Sequence, residues 1–178
     1  MPSCRDACRR WGASGRNGGQ LVNGYSRDLD VVEQRYGPEA AQALGAMAFE
    51  GADIIRERVA RYDIDCHLRA GGVFAALNAR QMADLKTRKT SWEAHGHDDL
   101  ELLDDTTIRE HAATDLYVGG LLDRRGGHVH PMNLALGEAA AFESLGGVIY
   151  EQSPVVRLEY GTPARVHTEA ATITADTV

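Results

Sequence analysis

The stretch GASGRNGGQ, residues 12–20, places four glycines in nine positions around one arginine and one asparagine. Glycines let a backbone approach a ligand closely and leave its N–H groups accessible as donors. Arg16 adds a fork-shaped cationic donor set and Asn17 adds an amide, and together they suit an anionic group such as a pyrophosphate. From these residues alone two interpretations stay open, an anion-binding loop and a surface glycine loop that binds no ligand.

The spacing of these glycines differs from two common phosphate-binding motifs. Gly12, Gly15, Gly18 and Gly19 do not form GxGxxG, and no Gly-Lys-Ser or Gly-Lys-Thr follows them, as a P-loop requires. The type of ligand therefore has to be argued from other parts of the sequence.

The composition is that of an ordinary globular protein. The chain has 178 residues, of which 43% are hydrophobic and 25% are charged, with a formal net charge of −7. The negative charge disfavours a nucleic-acid partner, and the lack of a run of eighteen apolar residues disfavours a membrane partner. Three cysteines without zinc-site spacing and a start without a signal peptide predict no metal and a cytoplasmic location.

Helical periodicity alternates along the chain with short extended runs, which predicts an α/β or mixed α+β fold. Helices are predicted after an N-cap at Ser26, and over residues 38–62, 78–95, 106–112 and 131–145. Strands are predicted over residues 64–69, 73–77, 100–103, 117–122, 148–152, 155–160, 164–169 and 172–178.

Four histidines are candidates for functional roles. His128 and His130 lie two apart on an extended run, so that their side chains share a face. They could bind a metal or line a pocket, but no third ligand is evident, and a structural role is favoured. His95 and His97 follow a predicted helix and are expected to be solvated. Further residues are expected to be structural, namely the solvated acidic residues Asp98, Asp99 and Glu101 and the packing residues Trp11 and Trp92.

Four longer segments carry a family resemblance. They are GASGRNGGQLVNGYSRDLDVVEQRYG (12–37), FEGADIIRERVARYDIDCHLRAGGVFAALNARQ (49–81), YVGGLLDRRGGHVHPMNLALGEA (117–139) and GGVIYEQSPVVRLEYGTPARVHT (146–168). In the same order, they resemble segments of the FAD-dependent amine and amino-acid oxidoreductases of the D-amino-acid oxidase superfamily. Within it they are most similar to the flavoenzymes that oxidise γ-glutamylputrescine, and the resemblance runs from about Trp11 to Val178.

The resemblance implies FAD as the cofactor and a small-molecule amine as the substrate. It implies oxidation of a C–N bond to an aldehyde, with molecular oxygen as the acceptor and hydrogen peroxide as a product. Sarcosine, glycine and D-amino acids remain alternative substrates, and no catalytic residue is identified. The residues implied to contact the pyrophosphate, ribityl chain and flavin ring are Ser14, Gly15, Arg16, Asn17, Gly18, Gly19 and Gln20. Val155 is implied to offer backbone groups to the adenine.

The resemblance also implies a division of the chain. Residues 1–62 correspond to a remnant of an FAD-binding domain with a helical segment, and residues 63–130 to part of the substrate-binding domain. Residues 131–178 correspond to a helix and strands that return to the FAD-binding domain. Because nothing before Gly12 resembles the family's N-terminal GxGxxG unit and no C-terminal half follows, we expect an internal fragment with a partial Rossmann-like domain and part of the substrate-binding sheet. A non-catalytic remnant that neither holds FAD nor turns over is a further alternative, and the missing unit implies weak or no FAD retention by this chain.

Overall fold

The computed structural model describes residues 12–178 and has a mixed α/β architecture, as predicted. An antiparallel four-stranded sheet packs against helices, and an antiparallel three-stranded sheet follows near the end of the chain. Cys4, Cys8 and Trp11 lie outside the described residues, so their predicted roles are not addressed by the structure.

Within residues 12–178 the helices and strands follow one another with short connections. The helices are α1 (Leu29–Tyr36), α2 (Pro38–Arg61), α3 (Ala79–Ala94) and α4 (Pro131–Ser144), with 3₁₀ turns at Ala13–Gly15 and Thr107–Glu110. The strands are β1 (Gln20–Leu21), β2 (Arg69–Ala76), β3 (Leu100–Leu103), β4 (Gly119–His128), β5 (Val155–Glu159), β6 (Ala164–Thr168) and β7 (Thr172–Ala175).

Local capping signals position three of the helices. Pro38 and Pro131 occupy the first turns of α2 and α4, where a missing N–H group costs nothing. The Asn78 side chain accepts a hydrogen bond from the Gln81 amide at 3.0 Å and caps α3. These predicted starts are confirmed, whereas α1 begins after Asp28 and the predicted cap at Ser26 is wrong.

Strand β4 is the centre of the four-stranded sheet. Strand β2 pairs with one edge of β4 along its length, from Arg69 opposite His128 to Ala76 opposite Gly119. Strands β3 and β1 share the other edge, where β3 faces residues 120–123 and β1 faces residues 127–128. Residues 124–126 of β4 stand opposite the single residue Gly71 of β2, so the extra residues form a bulge in β4. The bulge lies between the part of β4 that pairs with β3 and the part that pairs with β1.

Two predictions about strands are wrong. The residues around Gly71 do not separate two strands, because β2 runs continuously through them and Gly71 takes a φ of +85° at the bulge. Residues 148–152 form no strand, because their alternating apolar pattern meets no partner strand in the described part of the chain. Pairing with distant strands decides both cases, and local sequence does not encode it.

The main core lies between the helices and the four-stranded sheet. Trp92 is 4% exposed, and its ring centroid lies 5.9 Å from those of both Phe49 and Phe74, which confirms its predicted packing role. A second cluster joins Ile64 and Val129 beneath the start of α4. Among the helices of residues 12–178, none combines the length and the apolar character needed to cross a membrane.

The division of the chain at residues 62 and 130 stays a prediction. Strand β1 comes from the first predicted segment, yet it pairs with β4 of the second segment in one sheet. The four-stranded sheet therefore anchors the glycine-rich loop directly against the strands that would belong to the substrate-binding domain.

Candidate functional site

The glycine-rich loop is closed by the side chain of Asn17. Its Nδ2 group donates to the carbonyl oxygens of Ala13 at 3.2 Å and Ser14 at 3.0 Å. Its Oδ1 atom accepts a hydrogen bond from the Gly19 amide at 2.8 Å. The Asn17 amide therefore holds the loop in shape.

Gly19 is required by packing within the protein. Its φ is +71°, and a Cβ at this position would lie 2.0 Å from the carbonyl oxygen of Val129. A Cβ on Gly18 would lie 2.5 Å from the Oε1 atom of Gln20. Part of the glycine density in this loop is thus explained by its close approach to the segment that joins β4 to α4.

Two cavities lie on either side of the loop. The smaller, about 270 Å³, is formed by the loop and the first turns of α4 and is lined by Ser14, Asn17, Gly19, Gln20, Pro131 and Leu134, among others. The larger, about 510 Å³, is formed by the loop and the sheet and is lined by Gly18, Gln20, Gly71, Gly72, Gly126 and Gly127, among others. Five of its twelve lining residues are glycines, so part of its wall is bare backbone that a flat ring could approach closely.

The predicted site residues divide into three groups. Gln20 lines both cavities, while Ser14, Asn17, Gly18 and Gly19 each line one of them. Gly15 and Arg16 line neither of these two cavities, and the Arg16 side chain is exposed beside the loop.

Val155 lies apart from this loop. It begins β5 opposite Thr168 of β6, and it is 53% exposed. Val155 lines neither cavity of the loop, so its predicted contact with the adenine would lie outside both cavities.

A buried carboxylate lies beside the larger cavity. Asp123, 1% exposed, accepts hydrogen bonds at Oδ1 from His97 Nε2 at 2.9 Å and from the amides of Arg125 and Gly126 at 3.0 Å each. Its Oδ2 atom accepts from Asn23 Nδ2 at 2.9 Å. Burial alone would raise the pKa of Asp123, but the hydrogen bonds from His97, Asn23 and Gly126 outweigh it and hold the pKa below its ordinary value.

The prediction that His95 and His97 are solvated is wrong. His97 is 0% exposed, and its ring stacks on Phe49 with centroids 4.7 Å apart. His95 is also buried, with Nδ1 2.7 Å from the Ser91 carbonyl oxygen. The signal for His97 was Asp123, because a carboxylate that ends an apolar strand segment needs a buried donor.

The other two histidines mark the junction of β4 and α4. His130 caps α4, with its Nδ1 atom accepting from the Asn133 amide at 3.3 Å, which is the predicted structural role. His128 lies at the end of β4 opposite Gln20 and lines the larger cavity. Within residues 12–178, no group of three or more His, Cys, Asp or Glu residues could hold a metal ion.

Comparison of the sequence with known proteins identifies one family of oxidoreductases. Residues 4–178 match the family described as DAO, FAD dependent oxidoreductase. The chain is 54% identical over 165 residues to the gamma-glutamylputrescine oxidoreductase of Escherichia coli strain K12, covering 93% of this chain and 39% of that protein. The chain thus spans well under half the length of this relative.

The fold is shared with solved structures of more distant sequence. Glycine oxidase from Geobacillus kaustophilus superposes with a TM-score of 0.69 at 22% identity, covering 93% of this chain and 44% of that structure. An L-alpha-glycerophosphate oxidase from Mycoplasma pneumoniae, with FAD bound, superposes with a TM-score of 0.64 at 14% identity, covering 89% of this chain and 40% of that structure. At these identities the likeness shows the fold alone.

Proposed function

The chain belongs to the family of FAD-dependent oxidoreductases, and from this premise we propose that it forms part of the FAD site of an enzyme that oxidises a γ-glutamylputrescine-like amine. The observation that carries the choice of substrate is the 54% identity to the Escherichia coli gamma-glutamylputrescine oxidoreductase. The distant oxidases share the fold but give no comparable support for glycine or another amino acid as the substrate.

The residues around the loop fit a flavin. The larger cavity, about 510 Å³, falls within the range of about 300–1,000 Å³ that is typical of ligand pockets. Glycines of β2 and β4 form part of its wall, and Gly127 admits no side chain because an added Cβ would lie 2.3 Å from the Arg69 carbonyl oxygen. In this proposal Gly18, Gly126 and Gly127 face the ring.

Each part of the loop has a distinct role in the proposed site. Asn17 keeps the 3₁₀ turn and the Gly19 amide in one arrangement before a ligand binds, which lowers the entropic cost of binding. The exposed guanidinium of Arg16 offers paired donors and a positive charge to the pyrophosphate. The backbone of Val155, at the exposed start of β5, would contact the adenine.

Bound FAD would supply the redox chemistry, a two-electron oxidation of the amine to an imine that water would convert to an aldehyde and a released amine or ammonium, with oxygen as the final acceptor and hydrogen peroxide as its product. The chain's own contribution is to bind and orient. The sheet covers one side of the cavity and excludes water, and the loop fixes the position of the phosphates.

An odd number of cysteines, with Cys66 a buried free thiol, fits a cytoplasmic setting as part of the same proposal.

A titration of FAD into the purified chain tests the cofactor site. We expect saturable quenching of flavin fluorescence, and about tenfold weaker binding by the Arg16→Ala variant because a charge-assisted contact to phosphate is lost. Arg80→Ala is the matched control, since Arg80 is exposed on α3, and its affinity should equal that of the wild type. A wild-type chain that binds no FAD would contradict the proposal and favour a non-catalytic remnant.

The substrate is tested by peroxide release from the FAD-loaded protein. γ-Glutamylputrescine should give peroxide, while sarcosine, glycine and D-alanine should give much less at the same concentration. Equal or higher rates with an amino acid would contradict the proposed substrate and leave the flavin site in place.

A further inference from the structure

The bulge in β4 forms part of the wall of the larger cavity. Residues 124–126 stand opposite Gly71 alone, and Gly126 and Gly127 line the cavity together with Gly71. The amides of Arg125 and Gly126 turn inward to the carboxylate of Asp123, at 3.0 Å each. The Asp123 carboxylate is therefore one of the groups that set the shape of this wall.

A network of alternating charges holds the outer side of the bulge. Arg56 Nη2 donates to the Gly126 carbonyl oxygen at 2.7 Å, and Arg125 Nη2 donates to Asp53 Oδ2 at 2.6 Å. Arg125 Nη2 also donates to the Phe49 carbonyl oxygen at 3.1 Å, which ties the bulge to α2. These contacts fix the backbone of the bulge but do not position the Asp123 carboxylate itself.

His97 and Asn23 are the two buried side chains that hold the Asp123 carboxylate, and His97 is the one that contacts Oδ1, the oxygen that accepts the bulge amides. Its Nε2 atom lies 2.9 Å from Asp123 Oδ1, and its Nδ1 atom lies 3.4 Å from Arg125 Nη1. Because the carboxylate accepts and the guanidinium donates, this arrangement uses the tautomer with its proton on Nε2. Phe49 stacks on the ring and prevents it from turning, so that the Nε2–H group points at one place.

We propose that His97 is a positioning residue of the cofactor site, which acts through Asp123 to hold the Gly126–Gly127 backbone in the shape that accepts the flavin ring. This inference rests on the proposed function, because it assigns a role toward the same cavity. His97 lines neither of the two loop cavities, and it is separated from the larger one by Asp123, which does line it. Its contribution is thus one of geometry.

A role in positioning and a role in packing predict different results for two substitutions of His97. His97→Leu keeps an apolar side chain beneath Phe49 but removes the donor to Asp123. His97→Gln can place an amide N–H near the original Nε2 position and restore that hydrogen bond. If His97 served packing alone, leucine would be tolerated at least as well as glutamine.

The matched control is His95→Leu. His95 is buried two residues away at the end of α3, and its hydrogen bond goes to the Ser91 carbonyl oxygen and not to the bulge. This variant removes the same chemical group from a comparable depth and leaves Asp123 untouched.

The experiment combines amide NMR spectra of the chain with FAD titrations, at a temperature at which every variant is folded. His97→Leu should shift the Gly126 and Gly127 amide resonances and weaken FAD binding on the order of tenfold, the lower end of the loss measured when hydrogen-bond partners of metal ligands are removed. His97→Gln should restore both properties toward wild type, and His95→Leu should change neither.

The failure of this inference can be told apart from the failure of the proposed function. If wild type binds FAD and His97→Leu behaves like His95→Leu, or binds FAD as well as wild type, the positioning role is overturned and the function stands. If wild type binds no FAD, the proposed function fails, and the amide resonances alone decide whether His97 holds the bulge in shape. Shifts specific to His97→Leu and reversed in His97→Gln then support the hold of His97 on the bulge, and unshifted resonances overturn it.

Discussion

The amide of Val129 donates to the carbonyl oxygen of Gly19 at 2.8 Å, and a Cβ on Gly19 would lie 2.0 Å from the carbonyl oxygen of Val129. The backbones of these two residues therefore touch with no space for a side chain between them. This contact joins the glycine-rich loop to the segment between β4 and α4, and it sets where the loop meets both cavities.

The Gly19→Ala variant should be destabilised by about 2–4 kcal/mol. The left-handed conformation at φ +71° costs a non-glycine residue about 1–3 kcal/mol, and displacing the Val129 backbone adds to this cost. Urea unfolding measures the change. Gly12→Ala in the same loop is the control, since a Cβ there meets nothing within 4 Å, and an equal loss in both variants would contradict the packing role of Gly19.

The contribution of Asp123 to stability should disappear in acid. Because hydrogen bonds lower its pKa in the folded state, its carboxylate stabilises the fold above the ordinary aspartate pKa of about 3.9, and this contribution is lost as the pH falls through the lowered folded-state pKa. Asp123→Asn should therefore cost about 1–3 kcal/mol at pH 7 and progressively less below pH 4, as urea unfolding across this range would show.

Asp84→Asn is the control for this pH dependence. Asp84 is exposed on α3, and its substitution should change the free energy of unfolding by no more than about 0.5 kcal/mol at any pH. If the difference between wild type and Asp123→Asn stayed constant down to pH 3, the ionised carboxylate would not be the source of the stability.

Much of the fold could be predicted because its signals are local. Pro38, Asn78 and Pro131 each mark a helix start through the geometry of a single turn, and the structure places helices at all three. The predicted strand at 148–152 had the right alternation, but Val148 and Tyr150 remain 64% and 68% exposed without a partner strand. Strand formation depends on pairing with distant residues, which alternation in one segment does not specify.

The candidate site was predictable in part for the same reason. The glycine-rich loop was identified from composition, and the structure places it between two cavities. The buried pair of His97 and Asp123 was missed, because 26 residues separate them and the apolar run before Asp123 does not specify which donor meets its carboxylate. Only the register of β3 against β4 brings them together.

The contact between α4 and Ile64 should make Gly137→Ala destabilising, although alanine favours helices. A Cβ on Gly137 would lie 2.2 Å from Ile64 Cγ2. Overpacking costs about 1–3 kcal/mol and the gain in helix propensity is about 1 kcal/mol, so we expect a net loss of up to about 2 kcal/mol. The free energy of unfolding in urea measures this loss.

A double-mutant cycle isolates the contact. Ile64→Ala removes both atoms that the new Cβ would approach most closely, so Gly137→Ala in that background should be neutral or slightly stabilising. Gly51→Ala in α2, where a Cβ meets nothing within 4 Å, should stabilise the chain by about 1 kcal/mol. Additive effects at Gly137 and Ile64 would show that α4 can move away from Ile64 at no cost.

The hydrogen bonds of Asn17 should matter more for FAD binding than for stability. Asn17→Ala removes two donors to the 3₁₀ turn and the acceptor for the Gly19 amide, so the unbound loop would sample open conformations. Because the loop is exposed, the free energy of unfolding should change by about 1 kcal/mol or less. The FAD dissociation constant should rise about tenfold, because the variant loop has to become ordered when FAD binds. Asn78→Ala is matched in chemistry, since it removes the hydrogen bond that caps α3, and should lower stability by about 1 kcal/mol without changing the FAD dissociation constant. Thermal unfolding and flavin fluorescence titrations of both variants separate the two effects. If Asn17→Ala bound FAD with the affinity of the wild type, the loop would need no preorganisation by Asn17.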